Sequence, residues 1–122
     1  MKLKDAISKT KAYKPHAFSE AQATDWINQL EAEIYTDVLL IDAADFRPYV
    51  WPDDAEAELF LPAAHESLYP AWLEAMIDYH NGEYDRYANT LAVFNQRLND
   101  YKRYICYTYT PANRLQAGRR RR

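Results

Sequence analysis

Three histidines, one cysteine and a dense run of carboxylates are the side chains in this sequence that could hold a metal or carry a reaction. A metal centre needs donors that one element brings to a common face, as two histidines four residues apart on a helix do. His16, His65 and His80 stand far apart, and none falls into such a spacing. His80 lies on the apolar face of an expected helix, where it reads as a packed or hydrogen-bonded residue near a helix C-terminus. Cys106 has no histidine or acid fixed near it in sequence. Its place at the end of a helix offers no positive dipole to form a thiolate, so it reads as a packing residue. Carboxylate pairs such as Asp53 with Asp54 and Glu56 with Glu58 have the type needed for acid and base work. Sixteen acids in the 67 residues from Ser19 to Asp85 create such pairs by chance, and without a pocket they carry no catalytic information. Only Gly82 and Gly118 are glycine, so a glycine-rich phosphate cradle has no material. No catalytic, cofactor-binding or metal-ligating set is assigned, and an enzyme is not expected.

The elements that position these groups read as mainly helical. Ser19 with Gln22 forms a capping box. Ala23, Trp26, Ile27, Leu30 and Ile34 then recur at three and four residues, which predicts a first helix over about 19–40. The stretch from Ile34 to Val38 would also tolerate a strand. Around the turn signal Pro52-Asp53-Asp54, the short apolar runs Phe46 to Trp51 and Leu59 to Leu61 predict a small β-hairpin over about 46–61. A second helix over about 66–81 carries Tyr69, Trp72, Leu73, Met76 and His80 on one face, with Pro70 in its first turn and Asn81-Gly82 ending it. The third, over about 83–107, has the clearest stripe: Tyr87, Leu91, Phe94, Leu98, Tyr101 and Ile105. This is the expected core helix of a compact three-helix domain spanning 1–113 with flexible termini. Residues 114–122 read as a basic tail, because Arg119, Arg120, Arg121 and Arg122 are too alike in charge to pack.

The 122 residues, 48% of them hydrophobic, suit one domain that buries about two-thirds of the surface of its unfolded chain. A lone cysteine suits a reducing compartment. The lysine-interrupted start MKLKDAISKTKAYK is not a signal peptide, and no apolar run reaches the roughly 18 residues of a membrane span. A soluble protein of the cytoplasm is therefore expected, without membrane contact.

The net charge of −3 conceals an asymmetry. Lys2, Lys4, Lys9, Lys11 and Lys14 against Asp5 give +4 for residues 1–18; sixteen acids against Arg47 give −15 for residues 19–85; nine bases against Asp100 give +8 for the remainder. Such segregation is neutralised inside one monomer when an acidic helix packs beside a basic one. Alternatively it serves assembly, because complementary fields select one orientation between copies or partners.

Eleven tyrosines exceed what one small core requires. On the third helix Val93, Tyr104 and Tyr107 lie opposite the main stripe, and a helix apolar on two faces is usually buried on both. Tyrosine suits an interface, since it buries a ring and keeps a polar tip. Arg86, Val93, Arg97, Tyr104 and Tyr107, together with Arg119, Arg120, Arg121 and Arg122, are the expected subunit or partner contacts. The opposing reading has Arg86 and Arg97 keeping this face wet. A second function class, a small nucleic-acid-binding or regulatory module, would use the basic termini on phosphates. The acidic middle opposes broad contact with DNA.

The order of features resembles the small phage head–tail connector (adaptor, or head-completion) proteins. Lys14-Pro15-His16-Ala17-Phe18-Ser19 leading to Trp26-Ile27-Asn28-Gln29-Leu30-Glu31, Ile34-Tyr35 and Val38 is similar to their opening helix. Leu59-Phe60-Leu61-Pro62, Leu68-Tyr69, Trp72-Leu73 and Ile77-Asp78-Tyr79 resemble their hairpin end and second helix. The segment Gly82-Glu83-Tyr84-Asp85-Arg86-Tyr87-Ala88-Asn89-Thr90, with Phe94-Asn95, Tyr101, Tyr104 and Thr110-Pro111, is the most specific. His16 stands where similar proteins often have asparagine, and Ala88 interrupts Tyr-Asn-Asn; both departures touch local caps. The likeness covers roughly residues 14–111 and leaves out the arginine tail. It implies a virion neck protein, made in the host cytoplasm, that forms a ring, commonly twelve-fold. Its implied partners are its own copies, the portal protein and a tail-side neck or tail-completion protein, with double-stranded DNA passing through the lumen without sequence-specific binding. An acidic lumen and basic termini would fit that role.

Overall fold

The computed structural model describes residues 1–109, and the Arg119–Arg122 contacts expected above lie outside them. Ser19 caps the helix it was expected to start: its hydroxyl accepts from the Gln22 amide at 3.2 Å. Helix α2 (Glu20–Glu33) buries Ala23, Trp26, Ile27 and Leu30, and continues as a π-helical turn (Ile34–Val38) that buries Ile34, Tyr35 and Val38. The predicted first helix thus reaches its expected length with a wider last turn. Leu40, at φ 58°, ends it.

A fourth helix, α1 (Leu3–Tyr13), occupies the terminus expected to be flexible. Leu3, Ala6, Ile7 and Thr10 recur at the helical spacing and are buried, while the lysines between them stay on the outer side. The unsatisfied amides of its first turn find partners in the loop beyond α2: Leu3 N–H donates to the Ala57 carbonyl and Lys4 N–H to the Ala55 carbonyl, both at 3.0 Å.

That same loop replaces the predicted hairpin. Among the described residues there is no strand, only an antiparallel bridge between Lys2 and Glu58. The reason lies in where the backbone groups go. The Asn28 amide takes both groups of Tyr49, accepting from its N–H at 2.8 Å and donating to its carbonyl at 3.0 Å. Val50 and Asp54 close a tight turn on each other, and Leu59 N–H donates to the Met1 carbonyl at 2.9 Å. A side chain and the chain start therefore meet the bonds that a second strand would have supplied. Short 3₁₀ turns (Ala43–Asp45 and Ala63–His65) complete the connection.

Helices α3 (Leu68–His80) and α4 (Tyr84–Thr108) form an antiparallel pair across Asn81-Gly82. Gly82 takes φ 74°, with Glu83 N–H donating to the Asp78 carbonyl and Gly82 N–H to the Tyr79 carbonyl, the two bonds of a Schellman ending. A Cβ at Gly82 would meet nothing within 4 Å, so only the backbone conformation opposes a substitution. Gly82→Ala is expected to lower stability by about 1 kcal/mol, read as a shift in urea midpoint; an unchanged midpoint would show that the turn tolerates an L-residue there.

The expected core helix is an outer one. Leu68, Tyr69, Ala71, Trp72, Leu73, Ala75, Met76 and Ile77 make α3 buried on nearly all sides, whereas α4 buries only Phe94, Tyr101 and Ile105 and half-buries Tyr87, Leu91 and Leu98. Periodicity identified the right face of α4 but not how narrowly that face is covered. Trp72 joins the layers: its indole N–H donates to the Trp26 carbonyl of α2 at 2.8 Å, and its ring packs on Phe94 of α4 with centroids 4.9 Å apart.

Candidate assembly interface

At 25 residues, α4 is about 37 Å long and covers only one side of itself with this chain. Arg86, Val93, Arg97 and Tyr104, at steps of seven, four and seven, fall on one line along its flank. Val93 is 48% exposed and Tyr104 38%, and Tyr107, turned further outward, is 84% exposed. The Arg86 guanidinium is exposed and pairs with Glu83 in its own turn at 2.9 Å. Arg97 donates to Ser67 Oγ at 3.0 Å. All five side chains are exposed, while Arg97 and Tyr104 also touch this chain, at Ser67 and His65.

Two shallow hollows of about 210 Å³ each lie where this flank meets α3. Ala71, Glu74, Asn89, Thr90 and Val93 line one. Ala64, His65, Ser67, Leu68, Arg97 and Asp100 line the other. The His65 ring sits against Tyr101 and Tyr104, at 4.9 and 5.1 Å, and burial lowers its pKa below the ordinary imidazole value, with the Asp100 carboxylate acting in the opposite sense. Tyr104 also meets Tyr109, whose hydroxyl bond raises the Tyr104 phenol above its usual value.

The chemistry-bearing side chains are dispersed. Among the described residues no three His, Cys, Asp or Glu side chains gather where a metal ion could be held. Cys106 is exposed, not a packing residue. His80 is exposed too, stacked on Trp26 with centroids 5.1 Å and planes 12° apart. No helix of the described residues is long and apolar enough to cross a membrane.

Charge pairing divides the two basic ends. Lys2 and Lys4 both reach Glu56, the former at 2.9 Å, and the terminal amine reaches Glu58 at 3.2 Å and also Glu66. Lys14 meets the buried Asp78 at 2.6 Å, and Thr90 donates to the same carboxylate at 3.1 Å, which ties the α1–α2 connection, α3 and α4 together. Neutralisation inside the monomer therefore accounts for much of the lysine-rich start. It leaves the cations of α4 to local contacts, Arg103 with Asp100 at 3.8 Å among them.

Sequence reasoning missed two buried carboxylates. Asp78 is one; the other is Glu31, fully buried and accepting from the Tyr49 hydroxyl at 2.9 Å, the Tyr69 hydroxyl at 2.7 Å and the Phe60 amide at 3.1 Å. The available signal was Glu31 lying beside Ile27, Leu30 and Ile34 on the apolar stripe. This cluster anchors the loop before α3 to α2. Compared with models of protein families, with curated proteins and with solved structures, the chain matches none of them.

Proposed function

We propose that the protein is a structural head–tail adaptor of a phage virion. It forms a ring under the portal, joins capsid to tail and lets double-stranded DNA pass through its lumen. It acts through contacts distributed around the ring and performs no catalysis. The observation that carries this reading is the long uncovered flank of α4, where apolar Val93, Tyr104 and Tyr107 alternate with Arg86 and Arg97. Such a mixture of aromatic rings and arginine is the composition of a protein interface rather than of a solvated face. The resemblance of residues 14–111 to the connector proteins supports the same reading. Its partners are then copies of itself, commonly twelve, the portal protein and a tail-side neck protein.

The protein is expected to be monomeric or weakly associated alone and to sediment with rings of the portal protein of the same virus on a density gradient. Portal rings that sediment bare at saturating protein would contradict the adaptor reading. The competing module that grips nucleic acid through its basic termini predicts salt-dependent duplex retention on a filter, lost when residues 119–122 are deleted. Against it stands the engagement of Lys2, Lys4 and Lys14 with carboxylates of this chain. No duplex retention at low salt is the expected result.

A further inference from the structure

Because Trp72 of α3 touches both α2 and α4, the outward faces of α2 and α4 point to different sides of the molecule. Their charges differ in sign. From Ser19 to Phe46 the chain has no Lys, Arg or His, and it exposes Asp25, Glu33 and Asp37 along the outer side of α2 and its π turn. The ion pairs of the described residues lie elsewhere. Partial burial and then the Asp37 charge push Glu33 above the usual carboxylate range, as expected for like charges one turn apart. On the other side, Arg97 spends one donor on Ser67 and keeps four of the five its fork provides.

The two faces also match in level. Asp25 adjoins Trp26, whose ring stacks on His80, and Tyr79 beside it meets Tyr87 at 5.1 Å; Asp25 and Arg86 therefore lie at the same end of the bundle. Glu31 takes the Tyr69 hydroxyl while Arg97 reaches Ser67, which puts Glu33 and Arg97 at a second common level. Along the helices the acids are about 12 Å apart and the arginines about 16 Å, a difference an arginine side chain spans.

We propose that the α4 flank of one copy docks on the α2 face of the next, with Arg86 beside Asp25, Arg97 beside Glu33 and Val93 between the arginines. This deepens the ring reading above and rests on it. The occupant is a second copy because both complementary surfaces belong to this chain, and an acidic α2 face repels nucleic acid. The contact is heterologous, and matched levels call for rotation with little axial shift, which is the condition for a closed ring rather than a filament.

Two full-length variants test it, R86E/R97E and D25R/E33R, all at exposed positions. Each alone presents two faces of like charge and is expected to assemble on portal rings roughly a hundredfold more weakly than the wild type, read as copies that sediment with the portal at low salt. Mixed in equal amounts they are expected to co-assemble, since every contact again joins opposite charges. Circular dichroism melting checks their folding; should either melt early, R86Q/R97Q and D25N/E33N replace them, each then weakening association alone. A mixture that leaves portal rings bare while the wild type loads them overturns the pairing of faces. Wild-type-like rings from either variant alone overturn it too and leave the ring reading intact. Open filaments from the mixture uphold the pairing and overturn the ring.

Discussion

Replacing Glu31 by alanine is expected to lower stability by roughly 3–5 kcal/mol, the largest single effect of any substitution at a polar residue here. The carboxylate is fully buried and accepts from two tyrosine hydroxyls and one backbone amide. Without it those donors lose their buried acceptor, and each such loss costs about 1–3 kcal/mol. The Tyr69 phenol shows how dry the site is: burial, and then the Glu31 charge, push its pKa well above the ordinary value. Tyr69→Phe removes one donor to Glu31 and the acceptor of the Leu61 amide, and is expected to cost about 1–2 kcal/mol. Tyr101→Phe provides the contrast. Its hydroxyl is buried without a hydrogen-bond partner, so its removal is expected to be neutral or stabilising. Urea unfolding of the three variants checks the order. An E31A protein within about 1 kcal/mol of the wild type would show that water reaches these donors readily.

Trp72→Ala is expected to cost about 3–5 kcal/mol and to loosen α4 more than α2. The indole is buried against Phe94 on one side, and its N–H engages the Trp26 carbonyl on the other. Deleting it leaves a cavity between the layers, and α4 has few buried residues with which to compensate: Phe94, Tyr101 and Ile105. Hydrogen exchange should therefore rise along α4 before it rises along α2. Trp72→Phe keeps a ring against Phe94 and is expected to recover most of the stability. Equal loss for both variants would place the contribution in the indole N–H rather than in packing.

The parts of the fold that were legible in sequence are those where a single element declares itself. The Ser19 cap on the Gln22 amide, which is the serine half of the capping box, the stripe from Ala23 to Ile34, Pro70 in a first turn and Asn81-Gly82 at an end each use a local rule, and each holds. The misreadings came where distant partners decide. Leu3, Ala6, Ile7 and Thr10 carry helical spacing, but lysines on the outer face and a threonine within the stripe conceal it. Phe46 to Trp51 and Leu59 to Leu61 are apolar enough for strands, yet Asn28 and the chain start take the backbone groups that a hairpin would pair. Glu31 could not be assigned because a carboxylate on an apolar stripe looks the same whether it reaches solvent or three donors. For the candidate interface, spacing alone put Val93 and Tyr104 on the side away from the core. It could not show that α4 lies at the edge of the molecule, nor that Lys2, Lys4 and Lys14 reach carboxylates distant in sequence, Glu56 and Asp78, while Arg86 and Arg103 pair only within their own turns.

That last difference leaves a molecule charged oppositely on two sides, with exposed aromatic groups on one of them. Electron microscopy of the protein bound to portal rings tests this account most directly. A closed annulus of copies is expected beneath each portal, with the α4 flank of every copy covered by its neighbour. Copies bound singly, with Val93, Tyr104 and Tyr107 facing solvent all around, would contradict it.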